Sequence, residues 1–273
     1  MPELPEVESV LCSLRDAVPA LPGRVVNRVT VLWDGLLSNL STEQFHDGLK
    51  GMTFSAIRRH GKYLIFALRK NGAGCRESFL IVHLRMTGRL YLVPSRQAVE
   101  RHTRMTLWLD EDLALRFDDP RKFGRIWLVA DPDQVLNGLG PDALTVTRDV
   151  FMARISATRR QIKPLLLDQS FLAGVGNIYA DESLFRAGIH PLTPVSLLSE
   201  RDLECLHGAV IEVLSEAVEA HGANIDGVFK EGGFIVSVYG RAGKPCFRCG
   251  STIVKIRVAQ RGTHLCPVCQ PSV

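Results

Sequence analysis

Apolar residues at Val7, Val10, Leu11, Leu14 and Val18 recur with helical spacing, which predicts a helix over Pro5–Ala17 with Pro5 as its first residue. From residue 24 to 130 the pattern changes to short β-branched and aromatic runs: "RVVNRVTVLW", "YLIFALR", "FLIVHLRMTGRLYLV", "RMTLWLD", "LALRFDD" and "FGRIWLV". Gly, Asn and Asp turns separate them, as in a two-sheet antiparallel β-sandwich or barrel, with the first helix packed on it. The stretch "DPDQVLNGLGPDALT" (131–145) is turn-rich and reads as a linker. After about residue 148 the period becomes helical. Helices are predicted over 158–169, 177–188 and 199–222, the last opened by Ser199 as N-cap with Asp202 completing a capping-box-like start. The fold class is therefore α+β and multidomain.

Composition narrows this picture only a little. A chain of 273 residues can bury a full core in one or two domains, and 46% hydrophobic content is ordinary for a globular protein. The longest apolar runs are too short to span a bilayer, and the N-terminus lacks the basic and apolar regions of a signal peptide. The cytoplasm is the expected compartment. The net charge of +4 is modest, but its distribution is uneven. Residues 241–273 carry Arg241, Lys244, Arg248, Lys255, Arg257 and Arg261 with no Asp or Glu. Further clusters occur at Arg58, Arg59 and Lys62, and at Arg154, Arg159, Arg160 and Lys163. Such patches suit phosphate tracking, although solvated surface charge explains any one of them equally well.

Cysteine spacing is more specific. Cys246 and Cys249 form one C-x2-C pair, Cys266 and Cys269 another, with sixteen residues between the pairs. Four thiolates so spaced fit tetrahedral zinc with no open position, a structural site for a tail too small to fold on its own core. Two disulfides or a redox pair are the alternatives. The ribbon is predicted as two strands and a tight turn around "VAQRGTHL", offering Arg261 to a phosphate. Cys12, Cys75 and Cys205 are scattered and expected to be small buried apolar residues.

Three other stretches remain. In "MPELPEVE", helix opening accounts for Pro5, Glu6 and Glu8 but leaves Pro2 and Glu3 without a reason. "HLRMTG" and "DDPRKFG" each set an apolar residue beside a base, Met86 after Arg85 and Phe123 near Arg121, the composition of a wedge that replaces an extruded nucleotide. A lone Met or Phe near a strand end is more often core. "SFLAGVGN" (170–177) is a glycine-lined turn opening into a helix, with Asn177 placed to cap it. Its free N–H groups suit a phosphate, but an ordinary capped loop explains the spacing.

Taken together, "MPELPEVE", "HGKYL", "HLRMTG", "DPRKFG", "GVGNIYADESLF" and "AQRGTHLCPVC" closely resemble the formamidopyrimidine-DNA glycosylase and endonuclease VIII family, from Pro2 to Cys269. The resemblance implies a bifunctional base-excision glycosylase and abasic-site lyase acting on damaged double-stranded DNA. It also implies a domain order: a catalytic β-sandwich (1–131), a linker (132–147), a helix–two-turn–helix domain (148–237) and a zinc ribbon (238–273). Removal of Met1 would free the secondary amine of Pro2 as nucleophile, and Glu3 would donate a proton during sugar ring opening, for which a raised pKa would help. Lys62 matches the lysine of β-elimination and Arg261 the arginine of δ-elimination. Asn177 matches a phosphate-gripping residue, and His102, Arg121, Arg159 and Lys163 match DNA-contacting positions. Met86, Arg121 and Phe123 match the triad that fills the gap left by a flipped base, with Arg121 facing the orphaned cytosine. This triad favours the formamidopyrimidine branch. The segment 222–240, where the family places its lesion-capping loop, is short, which leaves oxidised pyrimidines open as alternative substrates. A non-catalytic zinc-ribbon DNA-binding protein is a further alternative. The family expectation is a cytoplasmic, bacterial monomer with one structural zinc ion.

Overall fold

The computed structural model describes residues 2–70, 77–225 and 232–272. They fall into two compact units, one built on Pro2 and Glu6–Asn137, the other on Glu3–Pro5, Gly138–Asn224 and the C-terminal residues.

In the first unit, α1 (Leu4–Arg15) precedes strands β1 (Val26–Val31), β2 (Met52–His60), β3 (Tyr63–Lys70), β4 (Ser78–His83), β5 (Arg89–Pro94), β6 (Thr103–Leu109), β7 (Leu113–Asp118) and β8 (Arg125–Val129). They form two four-stranded antiparallel sheets, ordered β1-β6-β7-β5 and β2-β3-β4-β8, as the strand pattern predicts. Val7, Leu11 and Leu14 of α1 are buried, and Glu8 on its other side reaches Arg59 of β2 at 2.5 Å.

Two elements escaped the pattern. Residues Thr42–Leu49 form a helix, α2, opened by a capping box between Ser41 and Gln44 and buried through Phe45 and Leu49. The expected linker contains a one-turn helix, α3 (Asp133–Leu136), whose Val135 and Leu136 pack on Ile65, Ile81 and Val129. This cover explains why "YLIFAL" and "FLIVHL" are continuous runs instead of alternating ones: β3 and β4 are buried on both faces.

In the second unit, α4 (Arg148–Ser156), α5 (Ile162–Leu166), α6 (Asn177–Ala187) and α7 (Glu200–Glu219) enclose one core. The helix expected over 158–169 is confined to α5. Helix α7 carries the predicted Ser199–Asp202 capping box. Its buried stripe runs Leu203, Leu206, Val210, Val213, Leu214 and Ala217. Cys205 falls off that stripe and is exposed, and Cys12 is half-buried, so neither is the core residue expected. Cys75 lies outside the described residues. The ribbon strands β9 (Val254–Val258) and β10 (Arg261–Leu265) pair as an antiparallel hairpin. Ala259 and Gln260, both at positive φ, make its tight turn, so Arg261 opens β10 just past the turn and is exposed.

Candidate active site

Glu3 is almost fully buried at the N-terminus of α6. Its carboxylate accepts the backbone N–H of Ile178 at 3.0 Å and of Tyr179 at 3.4 Å, and Leu4 donates its own N–H to the Gly174 carbonyl at 3.2 Å. First-turn N–H groups and the positive end of the helix suit a carboxylate. Two of the first-turn N–H groups of α6 are thus taken by Glu3 and are not free for a phosphate. Gly176 makes that approach possible, because a Cβ there would lie 2.2 Å from the Glu3 carboxyl carbon. Gly176, not Asn177, is the N-cap; Asn177 is the first helical residue and donates Nδ2 to the Gly262 carbonyl at 3.0 Å.

Lys62 occupies the two-residue turn between β2 and β3, where His60 pairs with Tyr63, and it is buried. Arg59 holds this turn by donating Nη1 to the Gly61 carbonyl at 2.9 Å while pairing with Glu8 of α1. Nearby His83 accepts the Arg85 N–H at 2.9 Å. Burial, with the charges of Arg85 and Lys62, pushes the His83 pKa down to about 3, so the ring is neutral at pH 7.

Met86, Arg121 and Phe123 are all exposed, on the β4–β5 and β7–β8 connections, and the Arg121 guanidinium stands 4.7 Å over the Phe123 ring. Neither apolar side chain is core. His102 is exposed at the start of β6, and Arg159 is exposed before α5.

Lys163 requires a correction. It has no accessible surface; its ammonium pairs with Asp181 of α6 at 2.6 Å and donates to Thr263 Oγ1 at 2.7 Å. Asp181 Oδ2 in turn accepts the His264 N–H at 2.8 Å. Burial lowers the Lys163 pKa, opposed by Asp181. A fully enclosed ammonium cannot contact DNA; instead this network seats β10, and hence Arg261, on α6. The sequence offered no sign of Asp181 as partner. It equally concealed Glu182, nearly fully buried, which accepts the N–H groups of Ser237, Val238 and Tyr239 at 2.7, 2.9 and 2.8 Å and so pins the end of the 222–240 segment. Residues 226–231 of that segment lie outside those described.

The Sγ atoms of Cys246, Cys249, Cys266 and Cys269 lie within 4.8 Å of one another, two of the separations being 3.9 and 3.4 Å. Tetrahedral zinc with sulfur at about 2.3 Å places its ligands about 3.8 Å apart, so the set fits one ion. Backbone N–H groups of Arg248 and Cys269 point at Cys246 and Cys266 sulfur, both at 3.4 Å.

Three family models match: the formamidopyrimidine-DNA glycosylase N-terminal domain over residues 1–126, its H2TH domain over 138–227, and the zinc finger found in FPG and IleRS over 243–271. The chain belongs to the formamidopyrimidine-DNA glycosylase family. Relatives bearing that name include one from Herpetosiphon aurantiacus, 42% identical over 99% of this chain and 100% of its own. One from Protochlamydia amoebophila is 36% identical over 99% of each. Among solved structures, Lactococcus lactis Fpg in complex with N7-benzyl-Fapy-dG-containing DNA superposes with a TM-score of 0.88 at 36% identity, covering 99% of this chain and 100% of that one. The chain is thus a DNA glycosylase with damaged DNA as partner and one structural zinc ion. Structural zinc in such small modules contributes on the order of 10 kcal/mol to folding. Chelation is therefore expected to unfold the ribbon and abolish tight DNA binding. Chelated, zinc-free protein that kept full affinity by fluorescence anisotropy would show that the ribbon holds without metal.

Proposed function

We propose that this chain excises oxidised purines, formamidopyrimidines and 8-oxoguanine, from duplex DNA and then cleaves the abasic site by β,δ-elimination. The observation that carries the reading is Glu3: the carboxylate that follows Pro2 is buried and held in one place by two N–H groups of α6, next in sequence to the amine assigned as nucleophile. With Met1 removed, the Pro2 nitrogen attacks C1′, the C1′–base bond breaks, and Glu3 protonates the ring oxygen as the sugar opens. The product is an iminium ion, necessarily cationic because the amine is secondary. That cation accepts the electron pair left when the C2′ proton departs, after which the 3′ phosphate and then the 5′ phosphate leave. Lys62 serves β-elimination, Arg261 δ-elimination and phosphate binding, and Asn177 and Arg159 grip the backbone. Met86, Arg121 and Phe123 fill the gap, with His102 beside them.

The functional division follows residues 1–131, 132–147, 148–237 and 238–273. The protein works in the cytoplasm as a monomer; no described helix is long and apolar enough to cross a membrane, and zinc-bound thiolates suit a reducing compartment. Sedimentation at working concentration checks the oligomeric state.

Borohydride trapping on a duplex carrying 8-oxoguanine opposite cytosine tests the reading. A covalent protein–DNA band is expected, and it should fade with Pro2→Gly, which lacks the secondary amine. No band, on this duplex or on one with a preformed abasic site, would leave a DNA-binding ribbon. One relative supports a second substrate class: the Lactococcus lactis protein was solved on oxidised-pyrimidine-containing DNA at 36% identity to this chain. A lesion panel in which thymine glycol outpaces 8-oxoguanine would favour the endonuclease VIII-like alternative.

A further inference from the structure

All four side chains assigned to reading the duplex in the first unit, Met86, His102, Arg121 and Phe123, are tied to a single buried residue. Asp119 has no accessible surface. Its Oδ1 accepts the Thr87 hydroxyl at 2.5 Å, next to Met86, and the N–H of Arg121 at 3.1 Å. Its Oδ2 accepts the N–H of Phe123 at 2.7 Å and of Gly124 at 2.8 Å. Its own N–H donates to the His102 carbonyl at 2.9 Å, and its carbonyl accepts Arg104 Nε at 2.8 Å. Arg121, Phe123 and His102 are thus bonded to Asp119 through their own backbones, and Met86 is adjacent to Thr87, whose hydroxyl is bonded to it.

The two wedge loops are built alike around it. Arg85 precedes Met86 at φ 57°, and Lys122 lies between Arg121 and Phe123 at φ 59°; both are left-handed backbones unfavourable for side chains of this size. Both loops end in a glycine against the buried Phe117 ring. A Cβ on Gly88 would lie 2.9 Å from that ring, and one on Gly124 2.4 Å from it. Loops held in disfavoured conformations need an external restraint, and the Asp119 carboxylate is bonded to both.

We propose that Asp119 is a positioning residue that couples gap filling to recognition of the orphaned base, so that Met86 and the Arg121–Phe123 pair take up their places as one unit. This rests on the glycosylase reading above. An isosteric Asp119→Asn keeps Phe123 and Gly124 on its carbonyl oxygen but turns amide hydrogens toward the Arg121 N–H, whose bond is lost, while the Thr87 hydroxyl can rotate to accept. Thr87→Val cuts only the tie to the Met86 loop, and Thr87→Ser preserves it.

The test is single-turnover excision of 8-oxoguanine opposite cytosine and opposite adenine, with the concentration dependence of each rate. Asp119→Asn is expected to lower the cytosine-over-adenine preference about tenfold, the effect of one lost hydrogen bond to a charged group. Thr87→Val should raise the half-saturating protein concentration several-fold, and Thr87→Ser should restore it. Melting curves show whether each variant folds; if Asp119→Asn does not, the Thr87 pair decides alone. A folded Asp119→Asn with wild-type preference overturns the proposal, as does Thr87→Val with wild-type saturation. Wild-type protein that excises neither lesion fails the glycosylase reading instead.

Discussion

Glu3→Gln is expected to lower excision of 8-oxoguanine by about two to four orders of magnitude, the range typical of a lost general acid. The fold should survive, because the amide oxygen can still accept one N–H of α6. The other face of the amide would turn hydrogens toward a donor, a local cost of about 1–3 kcal/mol. Single-turnover kinetics on a lesion duplex measures the loss. A duplex with a preformed abasic site provides the control, since its sugar already opens to an aldehyde and Pro2 can trap it without a departing base. Gly176→Ala should give the same separation from a distance: its Cβ would collide with the Glu3 carboxyl carbon, within 2.2 Å, and displace it. Full excision by Glu3→Gln would assign proton donation to another group.

These residues also mark what the sequence could reveal. The zinc ribbon was legible because four ligands of one chemistry at fixed spacing have few other uses. The sandwich and α7 were legible because periodicity and a capping box are local signals. From its own surroundings Glu3 was a residue that helix opening could not explain, and only the family resemblance gave it a role. Its partners, the N–H groups of Ile178 and Tyr179, carry no side-chain signature at all. Asp119 gave no signal in "DDPRKFG", since its partners Thr87 and His102 are distant in sequence. The same distance concealed the pairing of Lys163 with Asp181, so that a basic cluster suggesting phosphate contact contained one lysine turned inward. Two neighbours are likewise occupied: Arg160 pairs with Asp168 at 2.6 Å and Arg154 donates to the Ser170 and Phe171 carbonyls. Charge clusters report composition, and burial decides which members face a ligand.

Asp181→Ala is expected to destabilise the protein by about 3–5 kcal/mol at pH 7, because it leaves the Lys163 ammonium enclosed without its counter-charge. Thr263 and the Gly262 carbonyl, at 2.7 and 3.3 Å, supply hydrogen bonds but no negative charge. Burial already holds the Lys163 pKa below its ordinary 10.5, and loss of Asp181 lowers it further. Between the folded value and 10.5 the unfolded chain binds more protons than the folded one, so stability rises with pH across that window. The variant's window opens at a lower pH than that of wild type, so its deficit should shrink as pH is raised through the interval between the two folded values in urea unfolding. Lys163→Met combined with Asp181→Leu should recover most of it, since apolar residues can replace a buried pair. A deficit below about 1 kcal/mol, or one that does not change with pH, would mean that the pair is not what holds β10 to α6. The functional consequence is also specific: β10 begins at Arg261, so a loosened strand should let β-elimination product accumulate at the expense of δ-elimination product.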